Sequence, residues 1–209
     1  RQARELDFSN GIRASPHRAH PVRWGCFCFL FDITAPICWK TSNGEFAMSS
    51  PDFRTEMNFK YGEAGELAPG ISRIVANNPS VFTFKGTNTY ILGTGELAVI
   101  DPGPEDGDHF EATMWAVAGR PVTHILITHT HRDHVDGLPR LAEATGATVC
   151  GFGRHARAEG SVKTSPSGTE FVDQSFSPDQ VLKDGDTVQG PDWAVRAIHT
   201  PGHAPDHLS

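Results

Sequence analysis

The chain of 209 residues is short of several features that commonly announce a compartment or a partner. It has four cysteines, Cys26, Cys28, Cys38 and Cys150, and no Cys-x-x-Cys pair, which excludes a zinc-ribbon pattern and a disulfide framework. Its longest apolar run, residues 27–33, is interrupted by Asp32 and is far too short to span a bilayer. No small-residue cleavage site of the secretory type follows it. Positive charge is also in deficit, with 18 Lys and Arg against 25 Asp and Glu and a net charge of −7. A broad basic face for duplex nucleic acid is thereby excluded, although a local basic groove is not. Together these absences predict a protein of the reducing cytoplasm with no membrane span.

Methionine is missing from the first 47 residues, the first being Met48. That segment also departs in composition, holding two of the four Trp and three of the four Cys, with a stretch rich in Arg, His and Pro over residues 13–23 that follows neither a helical nor a strand period. We read residues 1–47 as a non-native or disordered N-terminal extension, with the start at Met48 or Met57; a targeting segment or small accessory element is the alternative. Residues 48–209 are read as the folded domain. At the other end the chain reaches Ser209 with no cap, polar tail or Gly/Pro terminator, so a C-terminal truncation is expected.

An apolar content of 38% with 21% charged residues is ordinary for a globular domain with a substantial core. Residues 71–76, 88–92 and 97–101 read as strands, with Gly93, Thr94, Gly95 and Glu96 as the turn between the last two. Phe110, Met114, Val117 and Ala118 repeat at helical spacing after the acidic Glu105, Asp106 and Asp108, whose charge suits a helix N-terminus. A buried strand follows at 122–128. A second helical stripe, Leu138, Leu141, Ala142 and Thr145, is closed by Gly146, and 147–151 reads as the next strand. Strands at 187–189 and 193–198 follow the turn Asp184-Gly185-Asp186. Sheets covered by helices predict an α/β or α+β layered domain.

The richest local pattern is His129-x-His131-x-Asp133-His134, placed directly after Ile125, Leu126 and Ile127. A shuffled chain of this composition would contain it with a probability of roughly 0.002, so composition does not account for it. Imidazole nitrogen and carboxylate oxygen suit Zn, Fe, Mn or Ni, and no thiolate lies nearby. In a loop leaving a strand, His129 and His131 can face one ion as an i, i+2 pair. Asp133 and His134 are adjacent, so they are expected to diverge and to address a second ion. Two ions about 3.5–4 Å apart can share a hydroxide and polarise a substrate oxygen. Thr200-Pro201-Gly202-His203 forms a turn after a buried strand, and His203 is positioned to complete a three-histidine set.

These residues resemble the metallo-β-lactamase superfamily, whose His-x-His-x-Asp-His and Thr-Pro-Gly-His signatures are matched by residues 129–134 and 200–203. The phrases at 86–93 and 100–103 look like the first hairpin of that family, and Gly86-Thr87-Asn88-Thr89-Tyr90 looks most like the branch of the β-lactamase-like RNA nuclease, with glyoxalase II next. The resemblance covers residues 70–209. It implies an αβ/βα four-layer sandwich whose second half is incomplete, and a two-zinc centre in which iron or manganese could replace zinc. His129, His131 and His203 would hold one metal. Asp133 and His134 would belong to the other, whose remaining bridging Asp and last His are not within this chain. Asp133 would orient the hydroxide and accept its proton, with Asp101 and His207 supporting the ligands. The implied activity is a metal-dependent hydrolase using a metal-bound hydroxide on an ester, thioester, lactone or phosphodiester. A non-haem iron enzyme oxidising persulfides, or an inactive metal-binding fragment, are the competing readings. A small-molecule substrate is favoured over single-stranded RNA, for which Arg132, Arg154, His155 and Arg157 are the candidate contacts, although a solvated helix start suits them better.

Overall fold

A computed structural model describes residues 56–153 and 171–209 with their side chains, and the backbone of 38–40 and 46–48. Apart from those two short stretches, the segment 1–47 lies outside the described residues, as do Arg154, His155 and Arg157. Strands β1 (Cys38–Lys40) and β2 (Phe46–Met48) pair with one another antiparallel.

The main sheet begins as a meander. Strands β3 (Gly65–Ala68), β4 (Ile71–Val75), β5 (Asn88–Leu92) and β6 (Leu97–Ile100) are successively antiparallel. Helix α1 (Gly107–Val117) then carries the chain back so that β7 (Val122–Leu126) runs parallel to β6, since a parallel pair needs a crossover. A single helical turn, α2 (Arg132–Val135), leads to helix α3 (Leu138–Thr145) and to the parallel strand β8 (Thr148–Gly151). The short β9 (Gln180–Val181) completes a seven-stranded sheet in the order β3-β4-β5-β6-β7-β8-β9. Beyond it, β10 (Thr187–Gln189) and β11 (Ala194–Arg196) form a second, two-stranded antiparallel sheet.

Both faces of the main sheet are covered, which is why its central strands are apolar at successive positions rather than alternating with polar ones. Leu97, Val99, Ile125, Ile127 and Val149 point to one face and pack with Ala112 and Val117 of α1 and Leu141 of α3. Ala98, Leu126 and Cys150 point to the other and pack with Val188, Trp193, Ala197 and Leu208. The described residues therefore build a helix layer, the seven-stranded sheet and the beginning of a second sheet, which is the expected layering. Among them no helix is long and apolar enough to cross a membrane.

The strand at 187–189 and the start of the second helix fall where the sequence places them. Gly146 ends α3 in the left-handed conformation, its N–H donating to the Ala142 carbonyl. The first helix differs. Its deepest face is His109, Ala112, Thr113 and Val117, with Phe110 and Met114 only partly buried and Ala118 already outside the helix at φ +52°. Apolar spacing missed this because two polar residues, His109 and Thr113, are satisfied inside: His109 by the Thr89 hydroxyl at 2.8 Å and Thr113 by the His109 carbonyl at 2.9 Å.

Trp193 is the largest fully buried side chain among the described residues, and its indole N–H donates to the Glu96 carbonyl at 2.9 Å, tying the second sheet to the β5–β6 turn. Trp193→Ala is expected to lower the urea unfolding free energy by about 3–5 kcal/mol. Trp115→Ala, at a site 84% exposed, is expected to change it by less than about 0.5 kcal/mol.

Candidate metal centre

Because β6 and β7 are parallel neighbours, the chain leaves both at the same edge of the sheet, where ligands of such sheets gather. Asp101 follows β6, and its backbone N–H continues the ladder to the Leu126 carbonyl at 2.9 Å. It is buried and left-handed at φ +51°, an uncommon conformation for a residue with a Cβ. Its Oδ1 accepts the Thr128 N–H at 2.8 Å and its Oδ2 accepts the Thr128 hydroxyl at 2.6 Å. The same Oδ2 stands 2.8 Å from His134 Nδ1. One carboxylate thus fixes both the entry of the histidine loop and the α2 histidine.

These bonds also assign tautomers. A carboxylate oxygen only accepts, so His134 Nδ1 carries the proton and Nε2 presents a lone pair. The Thr128 hydroxyl proton goes to Asp101, so at 2.9 Å it accepts from His129 Nδ1, leaving the His129 Nε2 lone pair outward. On the other side of His129, Thr130 is held by a second buried carboxylate: Asp206 Oδ2 accepts the Thr130 N–H at 3.0 Å and its hydroxyl at 2.7 Å.

The loop so fixed brings His129, His131 and His203 together, one ring nitrogen from each lying within 4.8 Å of the other two. His203 Nε2 is 3.2 Å from His129 Nε2. Two nitrogens bound tetrahedrally to zinc at 2.0–2.1 Å stand about 3.3–3.4 Å apart, so this pair already has the separation a shared ion requires. His134 and His207 complete a nest of five imidazoles, their ring centroids 4.2 Å and 5.1 Å from that of His129. His207 is steadied through Nδ1, 2.9 Å from the Thr200 hydroxyl.

Burial, reinforced by the surrounding imidazoles, drives the pKa of His129 well down. It lowers that of His131 too, against the pull of Asp133 and Asp206. For His203, more open to solvent than the other two, partial desolvation and then His131, His207 and His134 bring it to about 4. Near neutral pH these rings therefore offer lone pairs rather than protons, as a metal ligand must. The donor set fits a borderline-soft cation such as zinc.

Asp133 and His134 do not diverge as their adjacency suggested. Asp133 Oδ2 is 3.4 Å from His134 Nε2, because Asp101 holds the far side of the His134 ring and turns Nε2 back toward its neighbour. Asp133 is itself fixed by the Thr87 hydroxyl at 2.6 Å. Sequence reasoning passed over Thr87, Thr128, Thr130 and Asp206. The alternation Thr-His-Thr-His at 128–131 carried a signal for two of them. Arg132, a candidate RNA contact, forms an ion pair with Asp136 at 3.2 Å.

The sequence profile of the Metallo-beta-lactamase superfamily matches residues 82–209. The chain is 33% identical over 147 residues to the atrochrysone carboxyl ACP thioesterase dmxR1 of Cryptosporiopsis sp., covering 68% of this chain and 40% of that protein. It is also 33% identical over 155 residues to the atrochrysone carboxyl ACP thioesterase of Aspergillus terreus, covering 71% and 42%. The chain spans about two fifths of the length of these curated relatives. Its fold is similar to that of a class B3 di-zinc metallo-beta-lactamase from an Alaskan soil metagenome, with a TM-score of 0.56, 18% identity, and coverage of 71% of this chain and 56% of that one. These likenesses correct the expected branch, that of the RNA nuclease with glyoxalase II next: the relatives just described are named thioesterases. The phrase that suggested otherwise is scaffold. Gly86 sits at φ +135°, where a Cβ would come within 1.9 Å of the Ala76 carbonyl oxygen, and Thr87 and Thr89 bond to Asp133 and to the Asp101 carbonyl. None of that selects a substrate.

Four histidines, the buried His109 and His129, the half-buried His131 and the more open His203, have pKa values below their ordinary 6.5. The folded state then binds fewer protons than the unfolded chain as pH falls below 6.5, so stability is full above that value and declines beneath it. The melting temperature of metal-free protein is expected to be level from pH 8 to 7 and to drop steadily from pH 6.5 toward 4; a flat profile across that window would contradict the folding of these rings as neutral imidazoles.

Proposed function

The chain belongs to the metallo-beta-lactamase superfamily, and from that premise we propose that it is a metal-dependent hydrolase of thioesters, acting on an acyl group carried by an acyl carrier protein or a related thiol. The observation that carries the metal dependence is the convergence of His129, His131 and His203 through neutral ring nitrogens. Support for the thioester comes from relatives named as carboxyl ACP thioesterases.

In this reading His129, His131 and His203 hold one zinc, and Asp133 and His134 serve a second. Bound there, zinc supplies Lewis acidity toward the thioester carbonyl and a water whose pKa is lowered to about 7. The protein's own residues do the rest. Thr87 holds the Asp133 carboxylate in place, and Asp133 takes the proton of the attacking water. The carbon–sulfur bond then breaks, giving the carboxylic acid and a thiolate that is reprotonated. Asp101 keeps His134 in the tautomer whose Nε2 lone pair faces the site.

The test is thiol release from an acyl-N-acetylcysteamine thioester, a surrogate for the carrier arm, by zinc-loaded protein. Zinc-dependent release is expected, with Asp133→Asn lowering kcat by about 10²–10⁴-fold. Release that is indifferent to both zinc and Asp133 overturns the proposal. So does cleavage of single-stranded RNA without thioester hydrolysis, or purification with iron and oxygen uptake on a persulfide.

A further inference from the structure

We infer that Asp206 is a positioning residue that fastens the His203 turn to the His129–His131 loop and so sets the imidazole geometry an incoming metal meets, an inference that rests on reading those histidines as a metal site. Thr130 lies between two of the three histidines, and its N–H and hydroxyl both end on Asp206 Oδ2, at 3.0 and 2.7 Å. Asp206 follows His203 by three residues in the chain and is separated from Thr130 by 76. A single carboxylate therefore ties together the only two segments that supply the trio.

Two observations point to positioning rather than to packing alone. Asp206 is only 4% exposed, and a carboxylate so deeply placed is unfavourable unless charge-assisted hydrogen bonds offset its desolvation. An apolar residue would fill the space without that cost. The turn also has independent backbone ties, from Leu208 N–H to the Thr128 carbonyl at 2.8 Å and a reciprocal pair between Ile198 and Ser209. Folding of the turn does not hang on Asp206 alone. The backbone of residues 171–173 also holds this stretch, with Asp173 N–H on the Thr130 carbonyl at 2.8 Å and Arg132 N–H on the Phe171 carbonyl at 2.9 Å, so what Asp206 adds is the tie of the Thr130 N–H and hydroxyl to the His203 turn. Its negative charge, near enough to His131 to favour positive charge there, also favours a cation among the rings. Asp101 makes the same double bond, N–H and hydroxyl, to Thr128, so a carboxylate grips each threonine of the Thr-His-Thr-His run.

The experiment is titration of metal-free protein with cobalt(II), reading affinity and the visible ligand-field band, which reports coordination geometry whether or not any substrate is turned over. Asp206→Ala is expected to weaken cobalt binding by about 10–100-fold and to alter the band. Asp206→Asn, whose amide oxygen can still accept from Thr130, is expected to restore the band and most of the affinity. Wild-type affinity and an unchanged band in Asp206→Ala would overturn the inference while leaving the metal site intact. Failure of the unsubstituted chain to take up cobalt would overturn the metal reading and the inference with it. Should circular dichroism show Asp206→Ala unfolded, Thr130→Val, which deletes only the hydroxyl bond, decides: a loss of about 3–10-fold upholds the role and no loss refutes it.

Discussion

The Asp101 carboxylate is the contact on which the site most depends. It sits at the end of β6, in a left-handed conformation, and three groups converge on its two oxygens: the Thr128 N–H, the Thr128 hydroxyl and the His134 ring. Its own carbonyl accepts from Thr89, whose hydroxyl is also the partner of His109 in α1. The histidine loop, the short helix after it and the long helix before it are thus referred to one buried residue. A buried carboxylate is tolerable only when fully engaged in this way, and once engaged it is costly to displace.

The topology makes that convergence possible. The change from meander to parallel pairing at β6 brings the ends of β6 and β7 to one edge, and covering both sheet faces with apolar layers leaves that edge as the place for polar chemistry. The second sheet then delivers the turn carrying His203 to the same edge, held by the pairing of His199 with Leu208 and by Leu208 N–H on Thr128. Residues far apart in the chain become neighbours through backbone ladders first and side-chain bonds second.

Much of this was legible in the sequence. Strand and helix positions in 71–151 followed from period, turn glycines and acidic helix starts, because there the apolar pattern and the burial agree. The pattern failed in α1, where His109 and Thr113 are buried by virtue of their partners, which periodicity does not register. The histidine trio was legible because ligand chemistry restricts residue type so severely. Asp206 and Thr87 were not, since a carboxylate or hydroxyl gains its meaning from a partner dozens of residues away. The mutual orientation of Asp133 and His134 was misread for a similar reason: adjacency in sequence said they diverge, whereas a third residue, Asp101, turns them together. The branch of the superfamily was misjudged because the phrase used to assign it belongs to the scaffold.

His129, His131 and His203 are proposed to form a nitrogen-donor metal site. Zinc-edge X-ray absorption of the zinc-loaded protein tests it most directly. The expected spectrum has nearest-neighbour nitrogen and oxygen scatterers at about 2.0–2.1 Å with the multiple-scattering signature of imidazole, weakened in His203→Ala. A sulfur scatterer at about 2.3 Å, which would implicate a cysteine, or a shell that His203→Ala leaves unchanged, would contradict it.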